Sequence, residues 1–566
     1  MKLVIVGGVA GGASAAARAR RLDETAEIVL LERGPDVSFA NCGLPYHIGG
    51  EIANRSKLLV TTPERLRERF RIDVRIRSNV IGIDRDAKTV RVRDLETGRE
   101  YDEAYDKLIL SPGAAPIRPG LPGIDLPGIF TLRNLEDLDR VMDRLRSKVD
   151  RAVVIGAGYI GLEVAENLVK RGIETSLVEL ADQVMPPLDP EMTAPIVETL
   201  IRHGVSLHLS ESAEGFETIE GAGQHGIGIK LKSGRMLAAD LVLVGVGVRP
   251  DSGLAAEAGL ELNERGGIRV NERMVTSDPD ILAVGDAVEV IDFVTGQPSQ
   301  IPLAGPANRQ GRIAADVVFG KASRYRGTQG TSIVRVFDKC AGCTGASEKL
   351  LKRLGRPHLT AVVHPLNHAG YFPGAEAMTL KITYDPESGK LLGAQAVGGD
   401  GVDKRIDVLS MAIQAGMTVY DLEEVELAYA PQFSSAKDPV NMVGFVAAGR
   451  LRGEHPQTTL DQLEAETNPD QTEPSNAPLL LDVRTAAEFA NGSIPGSVNI
   501  PVDLLRDRLA EVPTDRLVVA YCQVGIRGLL ATRILNQHGR QAVNLSGGYT
   551  SYVQRRDARK AMKCAM

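Results

Sequence analysis

The chain has 566 residues, of which 43% are hydrophobic, which is enough for several buried cores and three to four domains. Its net charge of −7 is small for this length and offers no long-range attraction to nucleic acid or anionic lipid. No apolar stretch reaches the roughly 18 residues that a membrane helix needs, so small-molecule partners are favoured over nucleic acids and membranes.

The chain contains only five cysteines, and it runs directly into a strand pattern with no signal peptide before Leu3. We therefore expect a protein of the reducing cytoplasm. A structural disulfide framework is then not expected, and individual cysteines become candidates for chemistry.

The first elements form a β-α-β pattern. Residues 2–32 are typical of a β-branched strand with glycines, an Ala/Arg helix and a second strand that ends at Glu32. A glycine-rich turn of this kind lets the backbone approach a pyrophosphate at the helix N-terminus. Gly7 and Gly12 keep the expected spacing, but Val9 takes the middle position. Alone, the pattern is a weak signal of a nucleotide site.

Cys42 lies ten residues beyond Glu32 in the run 38–46, where a thiol next to a bound dinucleotide can exchange electrons with it. The alternative is an inert core cysteine, the usual fate of a single buried thiol. Glycine and proline flanks favour the reactive interpretation. A reactive thiolate requires a lowered pKa, which we expect from a position at the opening of a helix beside an oxidised flavin.

A second copy of the pattern lies further along the chain and satisfies the full glycine spacing with Gly156, Gly158 and Gly161. Its acidic residue, Glu179, ends the following strand, where a carboxylate can bind a ribose 2′-hydroxyl and would repel a 2′-phosphate. A surface glutamate is the alternative, but no arginine follows in residues 180–184. NADH is therefore predicted over NADPH.

Residues 276–286 end an apolar strand on the pair Gly285 and Asp286, which can bind a flavin's ribityl chain. Together with the first pattern, this segment predicts FAD. From about 324 to 446, strands and helices alternate without a phosphate-binding turn, which indicates packing, dimerisation or a contribution to a neighbouring site. Residues 451–477 are polar and contain proline, a composition typical of an interdomain linker.

These motifs, with residues 110–114 and 246–250, resemble the pyridine nucleotide-disulfide oxidoreductase family over residues 1–450. The resemblance implies two Rossmann-like domains and a dimerisation domain in a homodimer. The residues that it implies to bind FAD and NADH are Gly7, Gly8, Ala10, Gly11, Gly12, Glu32, Arg33, Ser111, Pro112, Gly113, Gly285, Asp286, Ala304, Gly156, Gly158, Tyr159, Ile160, Gly161, Glu179 and Gly247.

Family members similar to glutathione reductase carry a second cysteine in a C-x4-C pair, whereas none lies near Cys42. The Ser-Phe-Ala-Asn-Cys run at 38–42 instead resembles the coenzyme A-disulfide reductases and their relatives, the NADH oxidases and peroxidases, which use one cysteine. By this resemblance Tyr371 and Tyr429 reach the thiol from the partner subunit. A phenol there can steady a thiolate or lend it a proton, although buried structural aromatics are commoner.

The same resemblance implies a coenzyme A site. Its implied residues are Ser14, Arg18, Arg21, Ser38, Asn41, Asn308, Lys437 and Asn441. Arg18 and Arg21 are three residues apart on a helix, where they share a face and can bind the ligand's phosphates. A solvated basic face is the alternative.

The C-terminal segment resembles a rhodanese domain over about residues 478–556, in the run 479–501 and decisively in the cysteine loop that follows. A buried strand then ends in a Cys-Gln-Val-Gly-Ile-Arg-Gly loop from Cys522 to Gly528, and a helix follows. Such a loop can curl its N–H groups around the sulfur, and with Arg527 and the helix N-terminus it stabilises a thiolate or persulfide. Cys522 is therefore predicted to carry sulfur. Gly528 stands where such loops often have a serine, so one hydroxyl donor is missing. The sequence therefore does not determine which molecule accepts the sulfur.

Other motifs are discounted. Cys340 and Cys343 form a C-x2-C pair without two further zinc ligands nearby, so no metal is predicted. A structural role is favoured for His364 and His368, because Pro365 makes a shared helix doubtful. Cys564 is most simply an exposed, dispensable thiol.

The predicted fold class is α/β, with two Rossmann-like dinucleotide-binding domains (FAD and NAD), an α+β dimerisation domain and a C-terminal α/β rhodanese domain. The expected bounds are 1–115 and 246–323 for the FAD-binding domain, 116–245 for the NAD-binding domain, 324–450 for the dimerisation domain, 451–477 for the linker and 478–566 for the rhodanese domain.

The fusion implies a flavin-dependent NADH reductase of persulfides, polysulfides or coenzyme A disulfide. Electrons would pass from NADH through FAD to Cys42, held at rest as a mixed disulfide with coenzyme A, while Cys522 delivers sulfane sulfur. A plain coenzyme A-disulfide reductase, an NADH oxidase or peroxidase, and a sulfur-relay or redox-sensing protein remain alternatives. The sequence leaves open the sulfur donor and acceptor, strict NADH use, and which subunit the rhodanese domain serves.

Overall fold

The computed structural model describes residues 1–219, 226–466 and 477–564. The chain divides into two compact units. The first unit comprises residues 1–180 with 203–330, and the second unit comprises residues 181–202 with 331–566. The sequence had assigned 181–202 to the NAD-binding domain.

The secondary structure alternates between strands and helices along most of the chain. The strands are β1 Lys2–Val6, β2 Glu27–Leu31, β3 Asp73–Arg75, β4 Ser78–Asp84, β5 Thr89–Asp94, β6 Glu100–Ala104, β7 Lys107–Leu110, β8 Ala114–Pro116, β9 Ile129–Phe130, β10 Arg151–Ile155, β11 Glu174–Glu179, β12 Ser206–Leu209, β13 Ala213–Thr218, β14 Ile227–Leu231, β15 Met236–Ala239, β16 Leu241–Val244, β17 Val248–Pro250, β18 Ile268–Arg269, β19 Ile281–Ala283, β20 Val288–Ile291, β21 Pro298–Ser299, β22 Ser332–Val336, β23 Lys339–Gly345, β24 Leu359–Val363, β25 Thr379–Tyr384, β26 Leu391–Gly398, β27 Gln457–Thr458, β28 Leu479–Asp482, β29 Val498–Asn499, β30 Val518–Tyr521 and β31 Ala542–Leu545. The α-helices are α1 Gly11–Leu22, α2 Leu44–Ile48, α3 Pro63–Phe70, α4 Leu135–Arg146, α5 Tyr159–Lys170, α6 Pro190–Arg202, α7 Gly253–Glu257, α8 Ala304–Val318, α9 Glu348–Arg353, α10 Val402–Ala415, α11 Val419–Glu424, α12 Pro439–Leu451, α13 Leu460–Glu466, α14 Ala486–Ala490, α15 Ile526–Gln537 and α16 Gly548–Cys564.

Two five-stranded parallel sheets organise the first unit. The N-terminal sheet has the order β19-β7-β1-β2-β3, and the second has the order β12-β11-β10-β16-β9. The central strands β1 and β10 are apolar runs buried by their neighbours, as expected for parallel strands. Both strands lead through glycines into the helices α1 and α5, so each sheet presents a helix N-terminus at its carboxyl edge.

The second unit contains an antiparallel sheet, β22-β23-β26-β25-β24, and a parallel sheet, β27-β31-β30-β28-β29. Helix α6 belongs with this unit because it packs on the antiparallel sheet, and Glu191 of α6 forms an ion pair with the buried Lys381 of β25. These sheets confirm the predicted mixed α/β fold class. No helix in the described residues is long and apolar enough to cross a membrane.

Part of the segment predicted as a linker is regular structure. Strand β27 pairs in parallel with β31 through Gln457 and Thr458, and helix α13 follows directly. The polar composition was therefore compatible with an edge strand, because such a short strand needs few buried side chains. Residues 467–476 lie outside the described residues.

Candidate functional site

The first glycine turn is closed by backbone contacts that only glycine allows. Gly7 has φ +95°, and a Cβ there would lie 2.1 Å from the carbonyl oxygen of Ser111. A Cβ on Gly12 would lie 1.8 Å from the carbonyl oxygen of Gly7. The turn thus brings strand β7 and the N-terminus of α1 close to β1, which leaves backbone amides available to a phosphate.

A cavity of about 430 Å³ opens beside this turn. It brings together most of the residues implied to bind FAD, namely Gly7, Ala10, Gly11, Glu32, Arg33, Ser111, Pro112, Gly113, Gly285 and Asp286. Gly8, Gly12 and Ala304 do not line it. The sequence analysis missed Arg133, whose Nη2 donates to the carbonyl of Pro112 at 3.1 Å.

Glu32 and Asp286 are two of the acidic residues that line this cavity. Glu32 accepts hydrogen bonds from the backbone of Gly8 at 2.6 Å and Gly34 at 2.7 Å. Burial raises the pKa of Asp286, an effect opposed by Arg133. A glycine turn, a helix N-terminus and two carboxylates form the donor and acceptor set that a flavin dinucleotide requires, so the residues fit FAD.

The second glycine turn repeats the arrangement. Gly156 has φ +105°, and a Cβ there would lie 2.3 Å from the carbonyl of Gly245, whereas a Cβ on Gly158 would meet nothing within 4 Å. Gly158 is therefore open toward a ligand. Glu179 accepts a hydrogen bond from the backbone of Ala157 at 2.6 Å, just as Glu32 does in the first turn. These residues fit a second dinucleotide.

The remaining residues implied to bind NADH lie nearby in the chain. Tyr159 and Ile160 open helix α5, and 39% of the Ile160 side chain is exposed. Gly161 crosses close to Gly156, since a Cβ there would lie 1.8 Å from the Gly156 oxygen. Gly247 has φ +116°, a conformation that favours glycine.

Cys42 lies in a 3₁₀ turn, Asn41–Gly43, that leads into the short helix α2, and the residue is free and exposed. The segment is joined to the first glycine turn because the Ser38 amide donates to the Gly8 carbonyl at 2.9 Å. The lowered thiol pKa expected beside an oxidised flavin stays a prediction, whereas the groups of this chain shift the pKa the other way. Partial desolvation raises the pKa of Cys42, and the carboxyls of Glu163 and Asp286 raise it further.

Glu163 is a site residue that the sequence analysis missed. It projects from α5, two residues beyond Gly161, and accepts a hydrogen bond from the Tyr46 hydroxyl at 3.0 Å. Burial raises the pKa of Glu163 to about 7. Its position directly after the glycine motif was the available signal, but the pairing with α2 is long-range. The group can hold or release a proton beside Cys42 near neutral pH.

The residues implied to bind coenzyme A are only partly assembled. On the packed pair α1 and α8, Ser14 donates to Asn308, and Arg18 Nε donates to Asp316 Oδ1 at 2.7 Å. Arg21 is exposed at the end of α1. This pair of helices therefore presents a polar seam with basic groups. Ser38 and Asn41 lie in the Cys42 segment of the same unit.

The other two implied coenzyme A residues, Lys437 and Asn441, lie in the second unit and differ in how exposed their side chains are. Lys437 is exposed. Asn441 is buried, and its side chain caps α12 at Asp438 and donates to the Val425 carbonyl at 2.9 Å. The Asn441 amide is thus committed to holding the chain that leads to Tyr429.

Tyr371 and Tyr429 come from separate loops of the second unit, and their hydroxyls lie 2.8 Å apart. They are 76% and 49% exposed, beside further exposed aromatics. The hydrogen bond with Tyr429 raises the pKa of Tyr371. The two phenols therefore form one exposed proton-carrying pair, a geometry suited to a site on another subunit.

A buried ion pair fixes both loops. Arg405 is 1% exposed and donates to Asp438, to the backbone of Asn367 at 2.9 Å and to Ser434 Oγ at 3.2 Å. Asn367 and Ser434 belong to the two tyrosine loops. Arg405 is thus a positioning residue for the tyrosine pair.

The Cys522 loop follows strand β30 and opens helix α15. Gly525 has φ +106°, and its amide donates to the Cys522 sulfur at 3.1 Å. Cys522 is 1% exposed. The Arg527 guanidinium interacts electrostatically with Cys522, although its terminal nitrogens donate to Glu488. The structure therefore places Cys522 and Arg527 in the same loop, with a backbone amide directed at the sulfur.

Gly528 is explained by Asn544, which the sequence analysis missed. A Cβ on Gly528 would lie 2.2 Å from Asn544 Oδ1, and Asn544 Nδ2 donates to the Gly525 carbonyl at 3.1 Å. An amide side chain from β31 thus occupies the space that a serine at 528 would need.

The described residues contain one cluster of acidic groups with metal-binding spacing, Asp189, Glu191 and Glu348. The Lys381 ammonium forms ion pairs with all three, including Asp189 at 2.8 Å, so a cation already belongs to this site.

Cys340 and Cys343 lie three residues apart on β23, which directs them to opposite faces of the strand. His364 is half-buried, its ring nitrogens are hydrogen-bonded to Thr379 and Ser551, and desolvation lowers its pKa to about 4. That role is structural, and it ties the antiparallel sheet to α16. The side chain of Cys564 lies outside the described residues.

Family models match almost the whole chain. One described as "Pyridine nucleotide-disulphide oxidoreductase" matches residues 1–311, one described as the dimerisation domain of the same class matches 331–439, and one described as "Rhodanese-like domain" matches 459–555.

Similar proteins extend over the same length. The crystal structure of reduced Bacillus anthracis CoADR-RHD is 48% identical, with a TM-score of 0.93, and the match covers 98% of each chain. A NAD-dependent persulfide reductase from A. fulgidus is 35% identical with a TM-score of 0.89, covering 98% of this chain and 100% of that one. The coenzyme A disulfide reductase of Staphylococcus aureus (strain bovine RF122 / ET3-1) is 38% identical over 448 residues, 79% of this chain and 99% of that protein.

Proposed function

Because the chain belongs to the pyridine nucleotide-disulphide oxidoreductase family, we propose that it reduces persulfides, polysulfides and coenzyme A disulfide with NADH, and that its rhodanese domain carries the sulfur. The observation that carries the proposal is the presence of two unlike sulfur sites, Cys42 and Cys522, neither disulfide-bonded among the described cysteines. The names of the relatives, coenzyme A disulfide reductase and persulfide reductase, support the substrate classes.

FAD and NADH are the cofactors of this family. When bound, the flavin takes a hydride from NADH and returns two electrons to a disulfide. The residues of this chain bind and orient the two cofactors. The turns at Gly7 and Gly156 receive the pyrophosphates, and the carboxylates of Glu32 and Glu179 are positioned to bind ribose hydroxyls.

Cys42 has no neighbouring cysteine in this segment, so a diffusible thiol must supply the second sulfur. In the proposed step the Cys42 thiolate attacks the inner sulfur of coenzyme A persulfide and releases hydrosulfide, which leaves a mixed disulfide between Cys42 and coenzyme A. Two electrons and one proton then restore the thiolate and free the coenzyme A thiol. The polar seam of α1 and α8 is the proposed site for the phosphates.

Protons in this step come from groups that titrate near the working pH or donate hydrogen bonds. Glu163, with its pKa of about 7, is the proposed proton holder beside Cys42. The pair Tyr371 and Tyr429 would act on the thiol of the partner subunit in a homodimer, a role that their joint exposure supports.

Cys522 would collect sulfane sulfur and pass it to coenzyme A or to the Cys42 site. Its side chain lies in the rhodanese loop with the Gly525 amide directed at the sulfur and the charge of Arg527 nearby, which suits a persulfide anion. This order of events makes the rhodanese domain the source of the reductase's substrate.

The test is anaerobic NADH oxidation by the purified protein with coenzyme A persulfide, with sulfide measured in parallel. We expect one sulfide per NADH, loss of turnover in Cys42→Ser, and loss of polysulfide turnover in Cys522→Ser. A strict oxygen requirement would indicate an oxidase, and sulfide formed without NADH would indicate a relay protein. Mass spectrometry of the purified chain should detect coenzyme A attached to Cys42.

A further inference from the structure

The cations beside the Cys522 sulfur are already paired with carboxylates of the same domain. Arg527 binds Glu488 through both terminal nitrogens, with Nη2 2.6 Å from Oε1 and Nη1 2.8 Å from Oε2. This bidentate geometry occupies the outer edge of the guanidinium, the edge that would otherwise bind an oxyanion.

Glu488 is held in place independently of Arg527. It is the third residue of the capping box at the start of α14, where its Oε2 accepts from the Thr485 amide at 3.0 Å. The Arg527 hydrogen bonds lower the pKa of Glu488 to about 2, so the carboxylate stays charged at any working pH. A ligand that needs Arg527 must therefore displace a fixed carboxylate.

The second guanidinium that contacts the loop is paired in the same way. Arg484 donates to Gln523 of the loop at 3.2 Å, but its Nη2 lies 2.6 Å from Asp482 Oδ2 and also donates to the Gly492 carbonyl. Arg484 is 2% exposed. Neither of these two arginines therefore offers a free pair of terminal N–H donors to an incoming anion.

The exposed side chains next to the loop are apolar. Ile526 is 66% exposed and Leu530 is 45% exposed, and the two lie one turn apart at the start of α15. An approaching sulfur donor thus meets hydrocarbon beside the guanidinium that Glu488 has neutralised.

From this arrangement we propose that Cys522 takes its sulfur from an organic persulfide in preference to thiosulfate, and that Glu488 sets the preference by occupying Arg527. The inference rests on the proposed role of Cys522 as a sulfur carrier. Thiosulfate carries its transferable sulfur directly on a sulfonate, whose oxygens require bidentate donors, whereas the sulfur atoms of an organic persulfide have no oxyanion attached to them.

Both transfers are balanced nucleophilic displacements. With an organic persulfide, the Cys522 thiolate bonds to the terminal sulfur, the donor's S–S bond breaks, and the donor thiolate leaves while the proton stays on the new persulfide. With thiosulfate, the same attack breaks the S–S bond to the sulfonate and sulfite leaves with the bonding electron pair. The leaving sulfite gains charge on its oxygens, so a free Arg527 would help this reaction more than the first.

The experiment measures the rate of Cys522 persulfide formation in the full-length protein without NADH, by peptide mass spectrometry. The donors are glutathione persulfide and thiosulfate. The variant is Glu488→Gln, which keeps the shape of the side chain but removes its charge. The matched control is Glu511→Gln, since Glu511 forms an equivalent bidentate pair with Arg508 elsewhere in the domain.

We expect wild-type protein to load faster with glutathione persulfide. Glu488→Gln should raise the thiosulfate rate at least about tenfold, the equivalent of one charge-assisted hydrogen bond, and change the persulfide rate by less than about threefold. Glu511→Gln should leave both rates unchanged. Faster loading of the wild type by thiosulfate would overturn the inference. So would a Glu488→Gln variant whose loading rates change by the same factor with both donors.

Two further readouts separate the remaining outcomes. If neither donor loads Cys522 in the wild type, the proposed carrier function itself fails. The thermal midpoint of each variant is recorded, and if Glu488→Gln does not fold, the wild-type ratio tests the donor preference and Glu488→Asp replaces it as the test of the role of Glu488.

Discussion

Arg405 and Asp438 form an ion pair that is almost completely buried, with Nη2 2.8 Å from Oδ2. The pair lies at the junction of the loops that carry Tyr371 and Tyr429. A buried charge is costly when its partner is lost, so this pair is the point at which the tyrosine loops are most sensitive to substitution.

Arg405→Met should therefore lower the free energy of unfolding by about 3–5 kcal/mol, because it leaves the buried Asp438 carboxylate with only the longer ion pair to Lys404. Chemical denaturation followed by circular dichroism measures this. Arg508→Met removes a solvent-exposed pair with Glu511 and should cost about 0–1 kcal/mol. Equal costs for the two variants would contradict the positioning role.

Removing one phenol from the tyrosine pair should slow reduction without affecting sulfur loading. We expect Tyr429→Phe to reduce anaerobic NADH turnover with coenzyme A persulfide by about 10²-fold or more, the range typical of a lost proton donor. Cys522 loading should be unchanged. Tyr420→Phe, at another exposed tyrosine of the same unit, serves as the control and should retain turnover.

Glu163 should control the reactivity of Cys42. Its carboxylate raises the pKa of the Cys42 thiol, so Glu163→Gln should shift the pH profile of Cys42 alkylation to lower pH. The comparison uses anaerobically reduced protein and iodoacetamide, with Glu257→Gln as an exposed control in the same unit. An unshifted profile would show that the two groups are not coupled.

Glu163 should also make the free energy of unfolding depend on pH. Since the pKa of Glu163 is raised from 4.5 to about 7, the folded state favours its neutral form. The stabilisation that the folded state gains from this neutral carboxyl is complete below pH 4.5 and is lost as the pH rises toward 7. Relative to Glu163→Gln, the wild type should therefore lose free energy of unfolding across that window and stay level above it.

Glu179 should decide between the two nicotinamide cofactors. Glu179→Ala removes the carboxylate that is positioned to bind the ribose 2′-hydroxyl, so kcat/KM for NADH should fall at least about tenfold, while that for NADPH rises. Glu174→Ala, on the same strand but exposed, should change neither. An unaltered NADH preference in Glu179→Ala would assign the selectivity to other residues.

Local sequence was enough to predict the turns at Gly7 and Gly156 and the loop at Cys522, because their chemistry depends on a few adjacent residues. The raised thiol pKa at Cys42 was not predictable, since the responsible carboxyls of Glu163 and Asp286 come from distant segments. Burial and charge at such a site are set by tertiary packing, which a motif does not encode.

The same distinction explains the missed positioning residues. Arg405 and Asp438 have no motif, and their importance appears only when two loops meet around them. Strand β27 was missed because it is defined by pairing with β31 and not by its own composition. The fold class was predictable because the alternation of strands and helices is itself a local pattern.

Gly528 and Asn544 should behave as a coupled pair. Gly528→Ser places its Cβ against Asn544 Oδ1, so the amide must move and release the Gly525 carbonyl, which loosens the loop that directs the Gly525 amide at the sulfur. We expect Gly528→Ser and Asn544→Ala each to slow Cys522 loading, by about fivefold or more for one lost hydrogen bond. Because both act through the same contact, the double variant should be little worse than either single one. Losses that multiply in the double variant would show that Asn544 does not act through Gly528.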